Sequence, residues 1–549
     1  MSKRTRQNIY RIGLAATLAA GLASCGDASP TAMAATTGGS WQNGDYAQDA
    51  GSAKDSSLAS DGSKPGSGVD SGTGTGAPPE KEPEPDFGAP EGSPNYVYIP
   101  AAGTDRIVRV SGSSLKVSLI EVSSQPTVLQ VIPGVDAAVA LHRGADEAAV
   151  IRSSEAGDQV VLLPVLAHCN ALALAPSGSH GVVWYDHAKA KPGDPVGSFQ
   201  ALSVLQLAAG QEKSLSVSVG FRPRSVLFTK DGTQAMVVTD DGVSILDLAK
   251  LKDGDIVSSV PLSAKISKTE REVLITDDGK WAVVRETGST KLGLVHLPSK
   301  KLGEVDLGSV PTDLDLVPGG SAALAVLREA KQVAMVPLPL EATESFSFQV
   351  ASMGEAALGL ARLTEDGKTA ILYTSVAGVE QVATLDIATG SVQEVSIKKT
   401  IENVLLVPGS RKAILMHKPG PGPSYQEPTE KFVDDSQGYT LYDLDTGYTK
   451  LVLTPVKPLQ VAFSQAPNKA WLLLPDPKGL DHLVQQADLG SFQTVDHQLG
   501  SAPEHGRYLV KAGVVAVTQK HPSGRITFID GKTNQAKTVT GFELNGKVQ

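Results

Sequence analysis

The chain has 549 residues, 41 % of them hydrophobic, and only two cysteines. That length can bury a large core, and the core cannot rest on a disulfide framework. A formal charge of −10 excludes the basic character that nucleic-acid binding requires.

Lys3, Arg4, Arg6 and Arg11 precede an apolar run from Ile12 to Leu22. The run is too short to span a bilayer, and basic residues before a short apolar stretch are the pattern of an export signal. Leu22-Ala23-Ser24-Cys25 then resembles the lipobox of bacterial lipoproteins. The resemblance implies cleavage after Ser24, a diacylglycerol thioether on Cys25 and acylation (palmitate) of the new amine. An ordinary cleaved signal followed by a chance cysteine is the plain alternative. Two or three acyl chains would anchor the chain stably, where one holds only marginally. Gly26, rather than an aspartate, follows the cysteine, which resembles the sorting pattern of outer-membrane rather than inner-membrane lipoproteins.

The chain divides into a signal peptide at 1–24, a lipidated N-terminus and linker at 25–93, and one domain at 94–549. Residues 26–93 carry eleven acids and three lysines among Gly, Ser, Ala, Thr and Pro. Such a composition cannot bury enough surface to offset its ordering entropy, so a disordered stalk is expected. Its r.m.s. reach as a coil is on the order of 40 to 50 Å. The acidity of stalk and domain opposes binding to anionic lipid, so the membrane attachment expected is the covalent one.

From Tyr96-Val97-Tyr98-Ile99 onward, short β-rich runs alternate with turn residues. One unit recurs: alternating apolar residues, a Pro-Gly or Asp-Gly turn, and a small-apolar run. It stands at Leu129 to Gly134, Leu172 to Gly178, Val226 to Gly232, Val273 to Gly279, Leu314 to Gly319, Leu360 to Gly367 and Val404 to Gly409. Weaker copies surround Val461-Ala462-Phe463 and Tyr508-Leu509-Val510. A third run often ends in Asp and a turn, as at Val243 to Asp247 and Val382 to Asp386, and a fourth follows, such as Val392 to Ile397. Four short strands in about 45 residues make one β-propeller blade. The expected fold is therefore all-β, a propeller of four-stranded blades. About ten units can be counted, with seven or eight blades, or two rings, as alternatives. The first unit lacks an inner strand, and Thr540 to Val548 is the candidate to supply it and close the ring.

Asn95 to Ile99, Asp105 to Val110 and the Pro-x-x-Val-x-Phe-x-x-Asp-Gly pattern at Pro223 to Gly232 resemble YVTN-type β-propeller repeats. The resemblance spans residues 94 to 545 and implies architecture only. Some propellers of this type resemble lactonases, but no residue set here carries that over.

Searching for chemistry finds little. No two of the ten histidines stand at metal-pair spacing, so neither a metal nor another cofactor is expected. Gly367-Lys368-Thr369 and Gly531-Lys532-Thr533 lack the first glycine of a phosphate loop and read as hairpin turns. Asp277-Asp278 reads as a solvated turn rather than a calcium site. Cys169 lies beside an apolar stretch and reads as a small core residue.

Two long insertions interrupt the repeat, Asp186 to Ser198 and His417 to Gly438. Both lie between the second and third strands of their units, on the face where loops of a repeat protein often bind. Trp184, Tyr185, His187, Tyr425, Phe432 and Tyr439 flank or occupy them and are the candidate binding residues, because such rings offer contact area at low entropy cost. The sequence therefore suggests a membrane-anchored scaffold, not an enzyme, that binds an envelope protein or a polysaccharide. The alternatives are a lactonase-like or metal-dependent hydrolase and a subunit of an envelope transport or motility complex. On this reading, deleting 418–436 abolishes partner capture without lowering thermal stability.

Overall fold

The computed structural model describes residues 86–263, 271–339, 341, 346–464, 468–476, 478–479 and 482–547. Cys25 and the signal and most of the stalk lie outside them. The described strands form ten antiparallel four-stranded sheets, each drawn from one continuous stretch of chain in sequence order. The first strands are Glu91–Gly92, Pro126–Val131, Ala171–Leu174, Ser225–Phe228, Arg271–Ile275, Asp313–Leu316, Leu360–Leu363, Ile401–Leu406, Gln460–Ser464 and Pro503–Leu509. First strands of neighbouring sheets approach one another, so they are the inner strands, and they number the blades 1 to 10.

Residues follow the strand period of two, but both faces of each sheet are buried. In blade 2, Ala137, Val139 and Leu141 pack with Leu172 and Val183 of blade 3. The alternate residues Ala138 and Ala140 pack with Tyr98 and Ile107 of blade 1. A cluster of this kind lies between every two successive blades and also joins blade 10 to blade 1. The domain is thus one closed ring of ten blades, which excludes both the smaller blade counts and the two-ring arrangement.

The closing strand expected from Thr540 to Val548 is corrected. Ala536–Thr540 is the outer strand of blade 10, and Phe542–Lys547 is a helix. The inner strand of blade 1 is Glu91–Gly92, paired with Tyr98 and Val97. No strand crosses the seam among the described residues, so side chains and isolated backbone hydrogen bonds fasten it. Glu91 pairs with Arg507 at 3.3 Å, and Lys511 and Ala512 donate backbone hydrogen bonds to the Pro94 carbonyl. Phe87 meets Phe542 edge-on at 5.4 Å. Phe542 lies over Gly524, where any Cβ would overlap its ring, and it joins the cluster between blades 10 and 1.

The turn glycines join inner to second strands as expected. At Gly232, φ is +69°, a conformation that L side chains rarely adopt. The preceding Asp231 carboxylate accepts from Thr229 Oγ1 at 2.6 Å and from the Thr233 amide at 3.0 Å. The same Thr-x-Asp-Gly lock recurs at Thr276 with Asp278 and at Thr364 with Asp366. Asp278 thereby serves its own turn. Cys169 is buried, and burial pushes its thiol up to about 12, so it is inert as well as internal.

Because the seam lacks strand exchange, Phe542→Ala should lower stability by about 3 kcal/mol, the usual effect of emptying a buried phenylalanine site. Hydrogen exchange should rise first at 96–121 and 514–540. Even loss of protection around the whole ring would contradict this weak point.

Candidate functional site

Strands alternate in direction, so second-to-third loops and blade-to-blade connections emerge on one face of the ring. Both insertions emerge there, between Trp184 and Ala201 of blade 3 and between His417 and Gln437 of blade 8. Five blades separate them in a ring of ten, which places them diametrically opposite. The N-terminal segment enters on the same face, since Phe87 pairs with Ala101 at the loop end of its strand.

The blade 3 arm is held by backbone bonds at its root. Asn170 donates to the Asp186 carbonyl at 3.0 Å and accepts from the Asp186 amide at 2.7 Å. Asp186 Oδ1 accepts from Ala188 N and opens a single helical turn, His187–Lys189. Arg143 of blade 2 pairs with Asp194 at 3.0 Å. Gly197 passes so close to Tyr185 and the Ala167 carbonyl that an added Cβ would meet them at 2.8 and 2.9 Å. Tyr185, His187, Phe199 and Phe221 form a chain of ring contacts between 5.8 and 6.5 Å. Val196 is 59 % and Phe221 38 % exposed at its outer side. Lys189 Nζ lies 5.7 Å over the Trp184 ring, and burial, opposed by Asp186, pulls its amine down to about 8.

The blade 8 arm contains a helix, Pro428–Asp435, with proline in its first turn. Its C-terminal end is capped from the blade 7–8 connection: Lys399, fully buried, donates to the Val433 carbonyl at 2.9 Å and to that of Asp434. A cation there meets both the orphan carbonyls and the negative end of the helix dipole. Burial lowers the affinity of Lys399 for its proton, while Asp434, Asp435 and Glu380 oppose that shift. Asp434 Oδ2 accepts from Gly422 N at 2.7 Å and fastens the arm's entry. Tyr425, Lys431 and Asp435 bond one another on the outer side. Beneath, His417 bonds Thr400 O at 3.1 Å and Thr440 Oγ1 at 2.7 Å, and burial pulls it down to about 4, so it is neutral.

The six candidate binding residues separate into two groups. Trp184, Tyr185 and Tyr439 are buried, at 0 %, 2 % and 0 % exposure, and so are removed from any contact surface. Trp184 and Tyr439 belong to the apolar layers between blades 3 and 4 and blades 8 and 9, and Tyr439 donates its hydroxyl to Gln485. His187 and Phe432 are exposed and Tyr425 is half-buried. Val196, Phe199 and Phe221 belong to the surface without having been expected there. Toward the axis, inner strands of blades 5 to 7 carry buried Glu272, Asp313, Asp315 and Arg362. Arg285 engages Glu272 at 2.7 Å within blade 5 and reaches the Pro311 carbonyl ahead of blade 6, and Asp313 accepts the Ala361 amide of blade 7 at 2.8 Å, so Arg285 and Asp313 tie successive blades. Among the described residues no three His, Cys, Asp or Glu side chains converge as a metal site would need.

No family model and no curated protein matches the chain. Solved propeller structures do. A eukaryotic initiation factor matches at 12 % identity over 76 % of this chain and 96 % of its own, with a TM-score of 0.46. The dihydro-heme d1 dehydrogenase matches at 13 % identity over 62 % and 71 %, with a TM-score of 0.38. A periplasmic gluconolactonase of Pseudomonas aeruginosa matches at 17 % identity over 57 % and 93 %, with a TM-score of 0.32. At such identities and scores the likeness transfers no residue, activity or partner.

The contacts of Lys399 argue against the expectation that deleting 418–436 spares stability. Removing 418–436 takes away the carbonyls that the Lys399 amine bonds, and hydrogen bonds to a charged group contribute about 1.5 to 3 kcal/mol each. Thermal melting should therefore drop clearly for the deletion, while exposed Phe432→Ala should stay within about 0.5 kcal/mol of the parent. Equal melting of deletion and parent would show that Lys399 does not depend on the arm.

Proposed function

We propose that the chain is a lipid-anchored protein of the bacterial envelope whose ten-bladed ring binds another envelope protein or a glycan through the two arms. The observation that carries the reading is that both arms are fastened at their roots yet present apolar side chains outward on one face. Phe432 is 66 % exposed on one arm, Val196 59 % on the other. Rigid loops with exposed rings limit the ordering entropy lost on contact, which is how binding loops gain affinity. Entry of the N-terminal segment on that same face supports an orientation in which the arms look toward the anchoring membrane. The reading includes the lipobox at Leu22 to Cys25 and the outer-membrane sorting pattern. It also includes the resemblance to YVTN-type repeats, which stands for architecture alone.

Two measurements test it. Metabolic labelling with a palmitate analogue should mark the wild type and leave Cys25→Ser unmarked and released from the membrane fraction; label on both, or on neither, overturns the anchor. Tagged full-length protein, crosslinked in envelopes, should recover a specific partner band or glycan. Phe432→Ala with Tyr425→Ala should reduce that recovery about tenfold, as should Phe221→Ala with Val196→Ala. Undiminished recovery by both pairs would remove the arms from the binding role.

A further inference from the structure

Each blade ends in an outer strand whose far edge pairs with no further strand among the described residues. Such edges invite pairing with other chains, and proteins commonly prevent it with charges or with very short edge strands. Seven of the other nine outer strands carry lysine, aspartate or glutamate, as at Glu394, Lys450 and Asp496. Ser259–Val260 and Gln349–Ser352 are uncharged but only two and four residues long.

The outer strand of blade 2, Gly157–Pro164, has neither protection. It is eight residues long and holds no charge from Gln159 onward. Its one charge, Asp158, is paired with Arg109 of blade 1 at 2.9 Å. Val161 is 36 % and Leu162 46 % exposed.

The register shows which backbone groups this edge offers. Val165 N donates to the Asp146 carbonyl, and Leu163 and Val161 stand opposite Ala148 and Val150 in the same register. Bonded and unbonded residues alternate along an antiparallel pair, so the odd-numbered residues from 157 to 163 bond the third strand of the blade. Asp158, Val160 and Leu162 therefore turn their N–H and carbonyl groups outward, and Pro164 its carbonyl.

We propose that this edge pairs with the same edge of a second copy of the chain, antiparallel about a two-fold axis at Val161. In that register the N–H groups of Asp158, Val160 and Leu162 meet the carbonyls of Pro164, Leu162 and Val160 of the second copy. The two-fold axis repeats the same bonds in the other direction. Val161 lies opposite Val161, and Val160 opposite Leu162, so apolar side chains meet and no like charges are opposed. An axis one residue earlier would set Asp158 against Leu162 instead.

The composition favours a second copy over the chain's own stalk, whose Gly, Ser, Pro and acidic residues offer no apolar run to match Val161 and Leu162. A two-fold contact uses the edge on both copies and closes at two. One strand edge is at the small end of specific interfaces, so the dimer dissociates on dilution. The contact lies on the rim of blade 2, apart from both arms, and neither needs nor alters their binding role.

Purified full-length protein, sedimented over about a hundredfold range of concentration, should pass from monomer to dimer. Leu162→Lys places a cation in the ladder and should abolish the dimer while melting like the parent, because Leu162 is exposed. Val161→Cys sets two thiols on directly opposed residues with Cα atoms about 4.5 Å apart, within disulfide reach. Mild oxidation should yield at least about tenfold more covalent dimer from Val161→Cys than from Gln159→Cys, whose copies stand about 13 Å apart along the strand. The wild type gives the background from its own two cysteines. A monomer at every concentration, a dimer that survives Leu162→Lys, or assembly beyond two copies overturns the self-pairing. Equal crosslinking by the two cysteine variants, or a crosslink from Val161→Cys to a different protein, does so as well.

Discussion

Burial of both faces of every sheet is the constraint on which the rest of this protein depends. A four-stranded blade alone would leave two apolar faces in water, so each blade is stable only between two neighbours. The alanines and valines of strands such as Ala137–His142 serve this packing, presenting alternate residues to opposite blades. The same logic makes the seam decisive, because the cluster of Val97, Ile99, Leu509 and Phe528 must form for blades 1 and 10 to be covered at all. The short helix with Phe542 and the segment with Phe87 close over that seam from the two chain ends.

A ring also turns ten inner strand edges toward its axis, and unpaired edge groups need partners. Side chains of neighbouring blades supply several. Gln130 donates to the Leu172 carbonyl across blades 2 and 3. Gln460 accepts the Gly506 amide across blades 9 and 10. Arg285 reaches the Pro311 carbonyl between blades 5 and 6. Buried polar groups on the inner strands therefore act as inter-blade ties, and the working surface of the molecule lies on the loop face instead. There the two arms differ in kind. The blade 3 arm rests on an aromatic layer and a close glycine approach, while the blade 8 arm rests on a buried lysine that caps its helix.

Much of this was legible in advance, for local reasons. A Thr-x-Asp-Gly turn forms its hydrogen bonds within six residues, so each hairpin announces itself wherever it occurs. The insertions were legible as interruptions of the repeat, and their opposition followed once the units were counted. The aromatics were harder. Trp184 ends the run Val182-Val183-Trp184, and Tyr439 begins Tyr439-Thr440-Leu441; both obey the strand period and so belong to the layers between blades. Position beside an insertion did not outweigh that register. Lys399 left no signal, because a lysine in a polar connection looks like any solvated charge until a distant helix is laid over it.

By itself the sequence determined the blade, its turns and the places where loops lengthen, since each depends on residues near one another in the chain; it counted about ten units but left their arrangement in one ring open. It determined neither end of the ring correctly. Glu91–Gly92 is a two-residue strand without β-branched or aromatic character, recognisable only through its pairing with Tyr98 and Val97. The tertiary structure alone decided the closure, which rings are buried and which exposed, and the meeting of Lys399 with the helix of the blade 8 arm. All three depend on contacts between blades, where packing and desolvation act on residues that the chain keeps far apart.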